Sequence, residues 1–181
     1  MSYVCVFCGS TPGANSSFTA AAEELGRLLA EAGFGLVFGG GAAGLMGSVS
    51  DGVLRAGGAV TGVIPQALMD RELGRTDLPE LHVVTSMHER KALMYELSDA
   101  FVTLPGGLGT LDEFFETATW TKLGLHRKPS LILDTDGFYA PLRAMLDHAL
   151  DNEFFAHGDQ DLISFHADPA SAVAELERAL S

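Results

Sequence analysis

The chain predicts an α/β fold in which a mainly parallel sheet is doubly wound, with helices on both faces. Three observations carry that prediction. Short β-rich runs alternate with amphipathic helical patterns along all 181 residues. Most of those runs are near-continuously apolar, as expected of parallel strands covered on both faces. The 21 glycines gather at a few turn-like places instead of spreading along the chain, which suggests backbone-lined sites. Such alternation joins neighbouring strands by helical crossovers that pack on the two sides of one sheet.

Taken in order, residues 3–8 form the first strand candidate, Tyr3-Val4-Cys5-Val6-Phe7-Cys8. Phe18, Ala21, Ala22, Leu25, Leu28, Leu29 and Ala32 then make one apolar stripe at helical spacing. Further strands are expected at 35–38, 59–64, 81–85, 100–104, 130–133 and 162–165. The last helix opens on Asp168-Pro169, an N-cap followed by proline at the first helical position, and carries Val173, Leu176 and Leu180 on one face. Residues 66–80 are the longest irregular connection, and long loops after strand ends often carry function. No repeat or linker interrupts the pattern, so residues 1–181 are expected to form a single domain.

Composition narrows the functional classes. A formal net charge of -13, with no run of Lys and Arg, disfavours a nucleic-acid partner, because an acidic surface repels phosphate backbones. No stretch approaches the roughly 20 apolar residues of a membrane span. The apolar run at the N-terminus lacks a preceding basic region, so a secretory signal is not expected and the cytoplasm is the default compartment. Cys5 and Cys8 stand at odd spacing on one strand, which sends their sulfurs to opposite faces and favours buried free thiols over a redox or zinc pair.

Two glycine clusters carry the functional signal, since doubly wound sheets bind ligands outside the carboxyl ends of their strands. Gly39-Gly40-Gly41-Ala42-Ala43-Gly44-Leu45-Met46-Gly47 contains G-x-G-x-x-G between a strand and a helix. It reads as a phosphate cradle or as a tight turn with close helix–sheet packing. A dinucleotide site needs an acid at the end of the next strand, and Val63-Ile64-Pro65-Gln66 supplies none, which disfavours NAD. The second cluster, Pro105-Gly106-Gly107-Leu108-Gly109-Thr110, lacks the lysine of a Walker A loop. Its successive glycines suit a nest of N–H donors.

Glu113 follows that loop at the spacing of a capping box with Thr110, so it is either a helix cap or a working carboxylate. Glu116 shares its helix face, and the pair could serve a sugar beside the phosphate. Ser86 and Glu89 form another capping box. Arg90 and Lys91 then fall near a helix start, where cations oppose the macrodipole; they face a bound anion or form a solvated surface pair. No spacing of His, Cys, Asp and Glu matches a metal site.

Together these segments resemble the LOG family, the cytokinin-activating phosphoribohydrolases often labelled lysine decarboxylase-like. Pro105, Gly106, Gly107, Gly109, Thr110 and Glu113 match its PGGxGTxxE pattern. Gly39 through Gly47 match its GGGxxGLMG segment, and Met87, His88, Arg90 and Lys91 match MHxRK. The resemblance implies a Rossmann-like homodimer that needs no cofactor and cleaves the N-glycosidic bond of nucleoside 5′-monophosphates. The products would be a free base, often an N6-substituted adenine, and ribose 5-phosphate. It implies Arg90 and Glu113 as the catalytic pair. Substrate contacts would come from Ser10, Gly41, Gly44, Met46, Glu72, Met87, Lys91, Gly106, Gly107, Leu108, Gly109, Thr110 and Thr119. The sequence departs from the family at Leu108, where an aromatic is common, at Asp112, where Glu is, and at Asp70, where proline often stands.

In the mechanism this implies, backbone donors after the second glycine cluster hold the 5′-phosphate. Glu113 stabilises an oxocarbenium-like state or activates water, and Arg90 orients substrate and keeps Glu113 ionised. The decarboxylase label finds no support in the sequence, because Lys91, Lys122 and Lys128 are its only lysines and none has a recognisable pyridoxal phosphate context. The competing expectation is a non-catalytic nucleotide carrier on the same fold, like molybdenum-cofactor carrier proteins, which would have no need of Arg90 with Glu113.

Overall fold

The computed structural model describes residues 1–181 apart from Glu72 and Phe155, with the backbone alone for His157 and Gln160. Its seven strands are β1 (Tyr3–Phe7), β2 (Gly35–Phe38), β3 (Val60–Pro65), β4 (Glu80–Val84), β5 (Ala100–Thr103), β6 (Ser130–Leu133) and β7 (Ser164–His166). The helices are α1 (Ser16–Glu31), α2 (Gly44–Arg55), α3 (Gln66–Met69), α4 (Met87–Glu96), α5 (Leu108–Lys122), α6 (Ala140–Asp151) and α7 (Pro169–Ala179). All seven expected strands form, with ends moved by at most two residues. Among the described residues no helix is long and apolar enough to cross a membrane.

The strands form one sheet in the order β4-β3-β2-β1-β5-β6-β7, and every pairing between them is parallel. Chain order runs outward from β1 in one direction and resumes at β5 on its other side. The topological switch point therefore lies between β1 and β5, where Val6 pairs with Val102 and Phe7 with Thr103.

Side-chain alternation divides the core into two layers. Val4, Val6, Leu36 and Phe38 point toward α1, α2 and α7, meeting Leu25, Leu29, Val49 and Leu176. Cys5, Phe7, Val37 and Phe101 point the other way, onto Met94 and Tyr95 of α4, while Phe114 of α5 packs with Ile132 and Tyr139. Cys5 and Cys8 belong to different layers and are free thiols, as their odd spacing requires. On the first layer α1 and α2 touch backbone to backbone. A Cβ on Gly26 would lie 2.1 Å from Val49 O, and one on Gly52 2.1 Å from Glu23 O.

Candidate active site

A cleft of about 460 Å³ opens across the carboxyl ends of β5, β1, β2 and β3. The loops at the switch point build its floor. Gly9 N–H donates to Pro105 O at 3.0 Å, joining the turn after β1 to the turn after β5. Leu45 N–H donates to Gly9 O at 3.0 Å, which seats the start of α2 on the same floor.

Two helices aim their N-termini here, and neither is capped by a side chain. The N-caps are Ala43 for α2 and Gly107 for α5. By contrast α1, α4 and α7 are capped by Asn15, Ser86 and Asp168, whose side chains accept from Ser17 N–H, Glu89 N–H and Ser171 N–H. On α5 the first intrahelical bond runs from Leu111 N–H to Gly107 O at 3.1 Å. The N–H groups of Leu108, Gly109 and Thr110 are thus the helix's orphan donors, at the end where the macrodipole favours an anion.

The capping box expected at Thr110 and Glu113 does not form. The helix begins earlier, at Leu108, so Thr110 is already inside its first turn and buried, its hydroxyl folded over Gly106. Glu113 is thereby released from capping and faces the cleft. At α4 the expected box forms in part: Ser86 Oγ accepts from Glu89 N–H, but the Glu89 carboxylate accepts from Thr85 N–H and Oγ–H, not from Ser86 N–H.

Arg90 is no surface residue. Its side chain is 10% exposed, and its guanidinium donates from Nε to Val63 O at 3.1 Å and from Nη2 to Gly39 O at 3.0 Å. These two carbonyls at the ends of β3 and β2 fix the planar fork, leaving Nη1 4.0 Å from Glu113 Oε1. That separation is an ion pair without a close hydrogen bond. Burial pushes the Glu113 carboxyl up to about 7, against the opposing pull of Arg90. Arg90 thus favours the ionised form, as expected of it, while burial opposes that pull more strongly.

Beneath the pair lies a second network. Lys91 Nζ is 3.1 Å from Asp112 Oδ2 and 3.0 Å from Glu116 Oε2, and Tyr95 O–H donates to the same Glu116 oxygen at 2.7 Å. Glu116 is therefore engaged with Lys91 and Tyr95, not paired with Glu113 in the cleft as expected.

The cleft brings together Ser10, Gly41, Met46, Met87, Arg90 and Glu113 with Gly107, Leu108, Gly109 and Thr110. Gly44 and Gly106 stand behind it, pressed against Ser10 and Thr110. Lys91 supports it from below without lining it, and Thr119 faces a separate depression with Phe115, Lys122 and Leu146. Glu72 lies outside the described residues. Sequence reasoning missed the apolar wall of Ile64, Leu68 and Leu73, and the lining Cys8 and Gly9. Only the length of the 66–80 connection hinted at the wall.

Comparison with known proteins gives a consistent picture. The family model described as "Possible lysine decarboxylase" matches residues 46–176. The cytokinin riboside 5′-monophosphate phosphoribohydrolase LOG of Oryza sativa subsp. japonica is 45% identical over 96% of this chain and 72% of its own length. A cytokinin riboside 5′-monophosphate phosphoribohydrolase of Rhodococcoides fascians is 43% identical over 96% of this chain and 88% of its own. Among solved structures, the molybdenum cofactor binding protein of Rippkaea orientalis superposes with a TM-score of 0.75 at 21% identity, over 99% of this chain and 98% of that one. That last likeness is one of fold. On the strength of the family model and these relatives, the chain belongs to the LOG family.

Proposed function

We propose that the cleft hydrolyses the N-glycosidic bond of nucleoside 5′-monophosphates, N6-substituted adenosine monophosphates included, to free base and ribose 5-phosphate. One observation carries this reading: a buried Arg90–Glu113 pair sits beside the uncapped N-terminus of α5. The named activity of the relatives agrees with it.

In this mechanism the orphan N–H groups of Leu108, Gly109 and Thr110 hold the 5′-phosphate, each charge-assisted bond worth roughly 1.5–3 kcal/mol. Ser10, Gly41, Met46 and Met87 contact the remainder of the substrate. Gly44, Gly106 and Lys91 shape and support the site, and Thr119 is assigned no contact. Arg90 orients the ribose phosphate while Glu113 accepts a proton from water. The water oxygen bonds to the sugar C1′ as the C1′–N bond breaks through an oxocarbenium-like state, and the proton ends on the departing base. A carboxyl that titrates near 7 suits both halves of that transfer. The reading extends to a homodimer releasing cytokinin-type bases, as the family resemblance implies, with the cytoplasm as the default compartment; sedimentation of the purified protein measures the dimer.

Incubation with AMP and with N6-isopentenyl-AMP should release ribose 5-phosphate. Glu113→Gln should abolish release while leaving AMP binding within a few-fold. Unchanged release by that variant would remove Glu113 from the mechanism. Binding without release by the unmodified protein would favour a carrier.

A further inference from the structure

The apolar wall of the cleft is held by polar contacts outside it. Two of its members, Leu68 on α3 and Leu73 beyond it, belong to the 66–80 connection. Leu73 is 45% exposed, so hydrophobic burial does little to hold it in place. The connection instead lies along the first glycine loop as a short antiparallel bridge at Gly41 and Gly74. There Ala42 N–H donates to Leu73 O at 3.2 Å, and Arg75 N–H donates to Gly40 O at 2.8 Å.

Arg75 then reaches past that bridge to α2. Its side chain is 12% exposed. Nη1 donates to Ser50 Oγ at 2.7 Å and lies 2.6 Å from Asp51 Oδ1. On the other side Nε and Nη2 grip both oxygens of Asp77, at 3.0 and 3.2 Å. Isolated surface ion pairs contribute little, but a two-pronged guanidinium–carboxylate contact within a network is directional and stronger. One side chain thereby ties the loop bearing Leu73 to the helix whose N-terminus faces the cleft.

Across the sheet, the start of α5 follows β5, whereas Ile64, Leu68 and Leu73 stand at and beyond the end of β3. Those strands are three places apart, about 14 Å at ordinary strand spacing. A nucleotide anchored by its phosphate at α5 therefore presents its base to a wall whose Leu73, with Leu68 bonded to it by Leu73 N–H to Leu68 O at 3.2 Å, is held in place through Arg75. Building on the function proposed above, we infer that Arg75 is a positioning residue for base specificity, fixing Leu68 and Leu73 against the base and its apolar N6 substituent.

The test measures affinity for AMP and for N6-isopentenyl-AMP by calorimetry, with Glu113→Gln as the background so that neither is consumed. Adding Arg75→Met should leave the AMP Kd within about twofold. The substituted nucleotide should weaken by about tenfold, as expected when an apolar group loses its pocket contact. Arg75→Lys, which keeps the charge but not the fork, should fall between, and Asp77→Asn should move the ratio in the same direction by less. An unchanged affinity ratio in Arg75→Met, even with a lowered melting temperature, would make Arg75 a purely structural residue and overturn the inference. Should Arg75→Met not fold, an unchanged ratio in both other variants overturns it equally. The result is independent of turnover: a shifted ratio beside absent ribose 5-phosphate release in the unmodified protein would sink the hydrolase reading alone.

Discussion

The two glycine loops follow β2 and β5, open the helices α2 and α5, and frame one cleft, yet their glycines answer to different neighbours. In the loop at 39–47 the space a side chain would need is filled by the protein itself. A Cβ on Gly39 would lie 1.8 Å from Arg90 Nη2, and one on Gly44 2.4 Å from the backbone of Ser10. In the loop at 105–110, Gly107 and Gly109 have nothing within 4 Å of the position a Cβ would take. The first loop lacks side chains where Arg90 and Ser10 approach; in the second, Gly106 gives way to Thr110, whereas Gly107 and Gly109 border open space, as the proposed phosphate site requires. On the function proposed above, similar glycine spacing serves internal packing in the first loop and, at Gly107 and Gly109, the ligand in the second.

Substitutions separate the two reasons. The largest effect is expected from Gly39→Ala: the guanidinium must retreat, and since a misplacement of about 1 Å can cost 10²-fold in rate, turnover should fall by about that factor. Because the retreating guanidinium also gives up its buried bonds to Val63 O and Gly39 O, the melting temperature should fall as well; an active variant would break the contrast. Gly44→Ala meets fixed backbone and also a left-handed conformation, φ 61°. It should lose about 1–3 kcal/mol of stability, measured by denaturant unfolding.

Gly107→Ala should fold normally yet bind AMP roughly tenfold or more weakly, the equivalent of about one charge-assisted hydrogen bond. Undiminished affinity would return this loop to a packing role. The smallest and most diagnostic change is Gly109→Ala. Gly109 sits within the first turn of α5, so alanine should stabilise the protein by about 0.5–1 kcal/mol while weakening AMP binding. Opposite signs in one variant are difficult to obtain from a glycine kept for packing.

The pH dependence sharpens the same comparison. Glu113, raised to about 7 from an ordinary 4.5, holds its proton longer in the folded than in the unfolded chain. Stability should therefore fall as pH rises from about 4.5 to 7 and level off above, and Glu113→Gln should remove that slope. Turnover should rise with pH through about 7. Gly39→Ala, by moving Arg90 away, should push that midpoint higher, while Gly107→Ala should leave it in place.

The fold was readable because the central parallel strands are covered on both faces, which turns 35–38, 100–104 and 130–133 into nearly continuous apolar runs. Arg90 was readable for an electrostatic reason, a cation at the wrong end of a helix, although only the structure showed it buried against Val63 O and Gly39 O. Reading Thr110 to Glu113 as a capping box failed because four residues cannot report where a helix starts. Gly107 starts α5 early, and Thr110 becomes interior. Arg75 left no sequence signal, since its contacts on α2 lie 25 and 28 positions away and depend on how β2, α2 and β3 pack.

The uncapped start of α5 has a consequence for the protein's life in a cell. Where Asn15, Ser86 and Asp168 complete their helices from within the chain, α5 has no side-chain cap, and on the function proposed above the substrate's phosphate would complete it. A ligand that binds only the folded state adds about 2.7 kcal/mol of stability at a hundred times its Kd. Local unfolding of α5, and with it exposure to proteases, should therefore fall as the concentration of nucleotide around the protein rises.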